Sequence, residues 1–291
     1  MSRPPPRIAR APLLAAAVCL AGFGRCATPA SNDYPTGPWQ LVWSDEFDGP
    51  ALQPPDTSRW TYDVGGSGWG NNQLEYDTAR PENVSLDGNG HLAIVALKET
   101  YQGTDGVTRG FTSARIKTQG LATWTYGRFV ASIKLPAGQG LWPAFWLLGN
   151  DFTTVGWPAC GEIDVMEYKG QDTHWVQGTG HVPRPSGGGT EDVAIYGDSS
   201  LPDTGPGFDG AFHVFAIDWD PGVIRWEVDG NVYFTVDRTR LPAGTTWVFD
   251  HPFFVILNLA VGGDWVGAPG GTTPFPATML VDYVRVYARG S

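Results

Sequence analysis

Three carboxylates lie within six residues in the middle of the chain, at Glu162, Asp164 and Glu167, and apolar residues separate them. In a regular β-strand, Glu162 and Asp164 would share one face and Glu167 would point to the other. Burying Glu167 in a core without a partner would be costly. One extra residue in the strand, a β-bulge near Val165 and Met166, returns Glu167 to the face of Glu162. We therefore predict a bulged strand that presents all three carboxylates to one side.

Carboxylates that share one face repel each other, which raises the pKa of at least one of them. One ionised and one protonated carboxyl group near neutral pH is the combination that cleavage of a glycosidic bond requires. A separation of about 5–5.5 Å between the two glutamate carboxyl groups would suit a mechanism that retains the anomeric configuration. The alternative interpretation is an exposed acidic strand edge without catalytic function.

The elements that must position these carboxylates are predicted to be short strands. The sequence contains 39 glycines and 24 prolines, distributed along its length, and no segment has a helical stripe over three turns. A dozen antiparallel strands are expected to split into two packed sheets, a sandwich. The predicted strands cover residues 40–47, 91–98, 112–118, 127–135, 144–148, 162–169, 175–180, 213–219, 224–228, 232–237, 253–261 and 280–288.

The segment 232–237 alternates with period two, which places Val232, Phe234 and Val236 on one face. The Asp-Gly pair at residues 229–230 predicts a tight hairpin before it. No long linker interrupts the chain, so we predict one domain over residues 36–290.

The first 30 residues have the pattern of an export signal: an arginine-rich start, an apolar run over 11–24 and small residues after it. The run is too short for a transmembrane span. The remaining chain has 15 basic and 30 acidic residues. This balance argues against nucleic acid and anionic membranes as partners, and we expect a secreted, monomeric protein without membrane attachment in its mature form.

The cysteine content excludes a disulfide framework, because only Cys160 lies outside the predicted export region. We expect Cys160 to be a packing residue, since no neighbouring base would activate its thiol. Lipid attachment at Cys19 or Cys26 is disfavoured, because no small-residue recognition sequence precedes either cysteine and Arg25 stands directly before Cys26.

The hexapeptide Glu-Ile-Asp-Val-Met-Glu at 162–167 resembles the active-site signature of glycoside hydrolase family 16, in the bulged form of its laminarinase-type β-1,3-glucanases. Five further blocks resemble family segments in family order, at residues 41–49, 68–76, 142–148, 256–263 and 281–287. The resemblance implies an all-β, concanavalin A-like jelly-roll sandwich of two curved antiparallel sheets with an open substrate cleft. It also implies an endo-acting, retaining hydrolase of β-1,3-glucan.

The same resemblance implies a role for each carboxylate. Glu162 matches the nucleophile that forms a covalent glycosyl-enzyme. Glu167 matches the general acid that protonates the leaving oxygen and then activates water. Asp164 matches the residue that hydrogen-bonds the nucleophile.

The resemblance further implies that Arg115, Trp146, Trp157 and His181 contact the substrate, and residue chemistry adds other tryptophans and Asn72 as candidates. Flat aromatic rings suit the C–H faces of sugars, and Arg, His and Asn suit sugar hydroxyls. For each tryptophan core packing is the alternative, for Arg115 a surface ion pair, and for the asparagine ordinary turn chemistry. The predicted set is Trp69, Asn72, Arg115, Trp146, Trp157 and His181, with Trp226 and Trp265 as weaker candidates.

No cofactor is implied for catalysis, but the family resemblance implies one structural Ca²⁺ away from the carboxylates. Its ligands would be the backbone carbonyls of Glu46 and Gly90 and the side chain of Asp282, since Ca²⁺ prefers oxygen ligands. Asp282 is predicted to share a strand face with Val284 and Val286, an unusual place for an acid without a cation.

Two other functions stay open from the sequence. One is a non-catalytic β-glucan-binding module on the same sandwich, which the presence of both glutamates disfavours. The other is hydrolysis of a different polysaccharide, namely agar, carrageenan or another galactan, while mixed-linkage β-1,3-1,4-glucan stays open as a further substrate of a β-1,3-glucanase. The acidic composition disfavours sulfated galactans, which would require a basic cleft.

Overall fold

The computed structural model describes residues 37–290, which form nineteen β-strands, the short helix α1 (Phe152–Val155) and a 3-10 helix at Arg238–Arg240. The strands are β1 (Trp39–Asp45), β2 (Thr61–Asp63), β3 (Glu75–Asp77), β4 (Val84–Leu86), β5 (Leu92–Ala96), β6 (Tyr101–Gln102), β7 (Thr108–Arg109), β8 (Phe111–Ser113), β9 (Arg115–Lys117), β10 (Gly127–Lys134), β11 (Leu141–Gly149), β12 (Glu162–Glu167), β13 (Trp175–Ser186), β14 (Gly189–Ser200), β15 (His213–Asp220), β16 (Val223–Val228), β17 (Asn231–Asp237), β18 (Phe253–Val261) and β19 (Ala277–Arg289).

Two large antiparallel sheets contain most of these strands. One has the order β17-β16-β15-β10-β19-β5-β4, with β1 also paired to β19, and the other has the order β14-β13-β12-β11-β18-β9-β2. Two small sheets, β3 with β8 and β6 with β7, accompany them. The predicted all-β sandwich is confirmed, and β12, the strand with the three carboxylates, lies between β11 and β13 near the middle of the seven-stranded sheet.

The core lies between the inner faces of the two sheets. Phe129 and Phe215 come from the eight-stranded sheet, Phe145 and Leu257 come from the seven-stranded sheet, and all four are fully buried in one cluster. Each such side chain stabilises the fold by roughly 1.5–3 kcal/mol through loss of apolar surface to water. The inner faces are thus committed to packing, and the outer faces remain available for other functions.

The hairpin of β13 and β14 is the largest difference from the predicted strands. The prediction ended the first strand at residue 180 and missed β14 entirely. The structure continues β13 to Ser186 through Pro183 and Pro185, which pair with β14 but lie beyond the last residue paired with β12. Proline fits there because its missing N–H faces no partner strand.

Strand β17 also differs from its prediction. The Asp229-Gly230 hairpin is confirmed, with both residues at positive φ. Pairing with β16 is irregular between Phe234 and Val232, so Tyr233 and Phe234 both pack against the core while Val232 is 53% exposed. The predicted common face of Val232, Phe234 and Val236 is therefore wrong, because a bulge interrupts the alternation.

The predicted export signal over residues 1–30 lies outside the described residues, as do Cys19 and Cys26. Within residues 37–290, none of the helices has the length and hydropathy needed to cross a bilayer. Cys160 is fully buried against Leu148, Phe254 and Ile256, in agreement with the expected packing role.

Candidate active site

Strand β12 contains the predicted bulge. Its pairing with β11 passes from Asp164 opposite Trp146 to Met166 opposite Phe145, so Val165 is the additional residue. Val165 and Met166 both enter the main core. Two consecutive side chains therefore point inward, and the alternation of inward and outward side chains shifts by one residue. Glu167 returns to the side of Glu162 and Asp164 for this reason. We call the outer face of the seven-stranded sheet that bears these three acids the carboxylate face.

Glu162 is held by a tryptophan and approached by a histidine. The indole Nε1 of Trp157 donates a hydrogen bond to Oε2 of Glu162 over 3.0 Å, and Nε2 of His181 lies 4.0 Å from Oε1. Trp157 is 46% exposed, so its ring is available at the surface beside the carboxylate. The structure thus brings these two predicted site residues to Glu162.

Glu167 lies in a more enclosed position than Glu162. Trp142 Nε1 and Thr179 Oγ1 each donate a hydrogen bond to its carboxylate over 3.2 Å. Burial is the largest cause that raises its pKa, to about 7, and the charge of Glu162 adds to the rise. The charge of His181 and the two hydrogen bonds oppose it. Glu167 can therefore carry a proton near neutral pH, as a general acid must.

Asp164 is the most buried of the three acids, with 3% of its surface exposed. Its Oδ2 lies 3.1 Å from Nε2 of His181, whose Nδ1 lies 2.9 Å from Oδ2 of Asp192. Burial, followed by the charges of Glu167 and Glu162, raises the pKa of Asp164 well above its usual range. Burial disfavours charge on His181, but its contacts with Asp164 and Asp192 outweigh this and raise the histidine pKa.

Asp164, His181 and Asp192 form a continuous chain of polar contacts. Asp192 fixes the ring orientation of His181. One carboxylate oxygen of Glu162, one of Asp164 and one ring nitrogen of His181 all lie within 4.8 Å of one another. The arrangement places Glu162 on the same face as Glu167, whose pKa is raised to about 7 mainly by burial.

A stack of aromatic rings and a guanidinium lies on one side of the carboxylates. The Arg115 guanidinium lies 4.9 Å from the ring centre of Trp69 and 4.6 Å from that of Trp146. Asp63 anchors Arg115 through an ion pair of 3.0 Å, and Asn258 accepts a hydrogen bond from Trp146 Nε1 over 2.8 Å. Trp146 is also the pairing partner of Asp164. The predicted residues Trp69, Arg115 and Trp146 are therefore one unit.

A second aromatic cluster adjoins Glu167, and only one of its members was predicted from the sequence. Trp265, a weaker candidate, lies 5.1 Å from Trp142 and 5.9 Å from Trp175 between ring centres. Lys169 Nζ lies 4.2 Å from the ring centre of Trp265. Trp142 lies four residues before Trp146 on β11, so the two rings share one face of the sheet. That spacing is the pattern that could have identified Trp142.

Two predicted residues have other surroundings. Trp226 is fully buried in the core, where its Nε1 donates to the backbone carbonyl of Asp164 over 2.7 Å. Its prediction as a cleft residue is wrong, although it supports β12 from behind the carboxylate face. Asn72 is exposed and donates to both carboxylate oxygens of Asp264, at 3.1 and 2.9 Å, which ties two loops together.

The three predicted calcium ligands, Glu46, Gly90 and Asp282, lie in segments that neighbour one another at a different corner. Strand β1 ends with Asp45 opposite Val284, close to Asp282 in β19. A side chain placed at Gly90 would lie 3.6 Å from Oδ1 of Asp48, close to Glu46 in sequence. The carboxylate of Glu46 binds Arg285 at 2.9 and 2.7 Å, so its backbone carbonyl would be the ligand.

Asp282 fits a cation, although not for the reason that the sequence suggested. An irregularity in the pairing of β19 with β10 leaves Val281 and Val284 buried and Asp282 half-buried. The predicted common face of Asp282, Val284 and Val286 is wrong for this reason. Within residues 37–290 the Asp282 carboxylate has no hydrogen bond or ion pair to another side chain, and oxygen donors of this kind suit Ca²⁺.

A jelly-roll sandwich whose outer sheet face carries clustered carboxylates flanked by tryptophans is typical of enzymes that act on polysaccharides. Residues 69–285 match the family model described as glycosyl hydrolases family 16. The β-glucanase of Rhodothermus marinus is 45% identical over 86% of this chain and 85% of its own. This chain therefore belongs to glycosyl hydrolases family 16.

Solved structures of relatives agree with this assignment. The endo-β-1,3-glucanase of Pyrococcus furiosus is 46% identical and matches 87% of this chain and 95% of its own, with a TM-score of 0.79. The laminarinase catalytic domain of Thermotoga maritima is also 46% identical and matches 87% of this chain and 99% of its own, with a TM-score of 0.77.

Proposed function

We propose that this protein is an endo-acting, retaining β-1,3-glucanase that hydrolyses laminarin-like glucans, with mixed-linkage β-1,3-1,4-glucan as a further substrate. The observation that carries the proposal is the bulge at Val165, because it places Glu162 and Glu167 on one face with different surroundings. The names of two solved relatives, an endo-β-1,3-glucanase and a laminarinase, support the choice of polymer.

In the first step, Glu162 attacks the anomeric carbon of the sugar and Glu167 donates its proton to the leaving glycosidic oxygen. The glycosidic C–O bond breaks while a covalent bond forms to Glu162. In the second step, Glu167, now ionised, accepts a proton from water. That water attacks the same carbon and releases Glu162.

The neighbours of the two glutamates support these roles. Trp157 donates a hydrogen bond to Glu162, which holds its carboxylate in one orientation for attack. The enclosed position of Glu167 raises its pKa to about 7, mainly through burial, and so favours the protonated form that an acid needs. His181 Nε2 lies 3.1 Å from Asp164 and 4.0 Å from Glu162, so we assign Asp164 and His181 the role of positioning Glu162.

A binding module without activity is the less favoured alternative. Such a module needs aromatic rings such as Trp146 and Trp157, but it does not need a buried carboxylate with a raised pKa. Glu167 accepts hydrogen bonds from Trp142 and Thr179, and burial still raises its pKa to about 7. A buried carboxylate of this kind lowers the stability of the fold above that pH, and binding alone would not benefit from it. A galactan substrate would make the same use of the carboxylates and differs only in the sugar contacts.

The test is to incubate the protein with laminarin, lichenan and agarose and to follow new reducing ends. Glu167→Ala should lower the rate on laminarin by about 10²–10⁴-fold, the usual effect of general acid catalysis. Asp203→Asn, at an exposed carboxylate on a loop, is the matched control and should retain full activity. NMR of the first product should show the β-anomer. An unchanged rate for the Glu167 variant, or an inverted product, would contradict the mechanism.

We also propose export through the N-terminal segment and a structural Ca²⁺ at Glu46, Gly90 and Asp282. The arginine-rich start and the apolar run over 11–24 support export. The half-buried carboxylate of Asp282 supports the cation, which would join the end of β1 to β19. No cofactor takes part in the proposed reaction.

A further inference from the structure

Strand β14 carries a large aromatic side chain on the carboxylate face. Tyr196 lies opposite Thr179 of β13, which lies opposite Asp164 of β12. Residues directly opposite each other in antiparallel pairs point to the same side. Val193 and Ile195 of β14 pack against the core, which places the alternate residue Tyr196 on the outer side.

Tyr196 is unusual among the aromatic residues of this face because it is not packed. It is 58% exposed, and within the described part of the chain it has no ring partner and no side-chain hydrogen bond. Trp142 and Trp146, by contrast, contact other rings or a guanidinium. A large apolar side chain left open on a strand of a folded sheet is a candidate for contact with a ligand.

The position of Tyr196 relative to the acids is defined by strand spacing. One row of paired residues crosses the sheet from Trp146 through Asp164 and Thr179 to Tyr196. Neighbouring strands are about 4.8 Å apart, so the Tyr196 backbone lies about 10 Å from that of Asp164, on the side opposite Trp146. A polysaccharide that crosses the strands over the carboxylates would therefore reach Tyr196 after leaving the cleavage point.

We infer that Tyr196 forms a distal sugar-binding site for the same polysaccharide chain, on the far side of the carboxylates from Trp146. Its ring offers a flat face to the C–H groups of a sugar. The adjacent pair Gln177 and Asp198 lies on the same face and offers hydrogen-bonding groups for hydroxyls. Tyr196 is thus a residue that determines the preference for long chains, and it takes no part in the chemical step.

This inference rests on the proposed function, and its test uses two substrates that differ in reach. Laminarin extends across the whole face, whereas an aryl glycoside of laminaribiose ends beside the cleavage point. Tyr196→Ala should lower kcat/KM for laminarin about 3- to 10-fold, mostly through a higher KM, and leave the aryl glycoside unchanged. Tyr196→Phe keeps the ring and should restore most of the loss. Thr190→Ala, on the same strand near the hairpin turn, should match the wild type on both substrates.

The outcomes separate the two proposals. A wild type that cleaves neither substrate would refute the glucanase function and this inference with it. A wild type that cleaves both, together with a Tyr196→Ala variant that is equal to it on both substrates or equally impaired on both, would refute the Tyr196 site alone. A loss confined to laminarin that phenylalanine repairs would establish the site.

Discussion

Trp142 Nε1 donates a hydrogen bond to Oε1 of Glu167 over 3.2 Å, while its ring packs 5.1 Å from that of Trp265. The bond favours the ionised form of Glu167, and it is one of the contacts that limit its pKa to about 7. The aromatic cluster next to Glu167 therefore influences how readily this residue holds its proton.

Replacing Trp142 with Phe should move the alkaline limb of the pH–rate profile upward. Glu167 must be protonated to act as an acid, so the wild-type kcat should fall as pH rises through about 7. Removing a donor to the carboxylate raises this pKa further, and activity should persist to higher pH. The measurement is kcat on laminarin from pH 5 to 9, with Trp39→Phe on the other sheet as the control. A limb at the same pH in both variants would show that Trp142 does not tune Glu167.

Replacing Trp157 with Phe should weaken catalysis without weakening the fold. The variant keeps a ring at the surface but loses the 3.0 Å hydrogen bond to Glu162. A hydrogen bond to a charged group is worth about 1.5–3 kcal/mol, so kcat/KM on laminarin should fall roughly tenfold or more. Because Trp157 is 46% exposed, the free energy of unfolding should stay close to that of the wild type. Phe152→Ala, at an exposed aromatic of α1 in the same connection between β11 and β12, serves as the control. A stable variant with wild-type kinetics would contradict the role.

The sequence predicted the acids better than their surroundings. The bulge followed from the cost of burying Glu167, an argument that needs only the order of residues along one strand. The contacts of Trp142 and Asp192 depend on which strands are neighbours and in what register, and no single segment contains that information. Trp226 was misplaced for the same reason, since a tryptophan on a strand fits either face until the packing partner is known.

Calcium removal should lower stability but leave the chemistry intact. If a cation joins Glu46, Gly90 and Asp282, treatment with EGTA should lower the melting temperature, and added Ca²⁺ should restore it. Asp282→Asn should melt at the lower temperature with or without Ca²⁺. Asp203→Asn should respond to Ca²⁺ as the wild type does. A melting temperature that ignores both EGTA and the Asp282 substitution would remove the proposed cation, while kcat at a temperature well below melting should be unaffected throughout.

Glu75 should make the stability of the fold fall as the pH rises. It is fully buried in β3, and its Oε2 accepts a hydrogen bond from the backbone N–H of Val261 over 2.8 Å. Burial is the main cause that raises its pKa from 4.5 to about 7. The native state therefore holds this proton more tightly than the unfolded chain does. The stabilisation is fully present below about pH 4.5 and is lost as pH rises to about 7, at a cost of about 3 kcal/mol.

Glu75→Gln tests this directly, because the amide stays neutral at every pH and its oxygen can still accept the Val261 N–H. Urea unfolding at pH 5 and pH 8 should show a smaller difference in free energy for this variant than for the wild type. Other buried acids, such as Asp77, whose pKa is raised mainly by burial and then by Glu75, should leave part of the difference in place. Glu82→Gln removes an exposed carboxylate and should keep the full wild-type difference. If the Glu75 variant kept it too, the buried carboxylate would not be the source of the pH dependence.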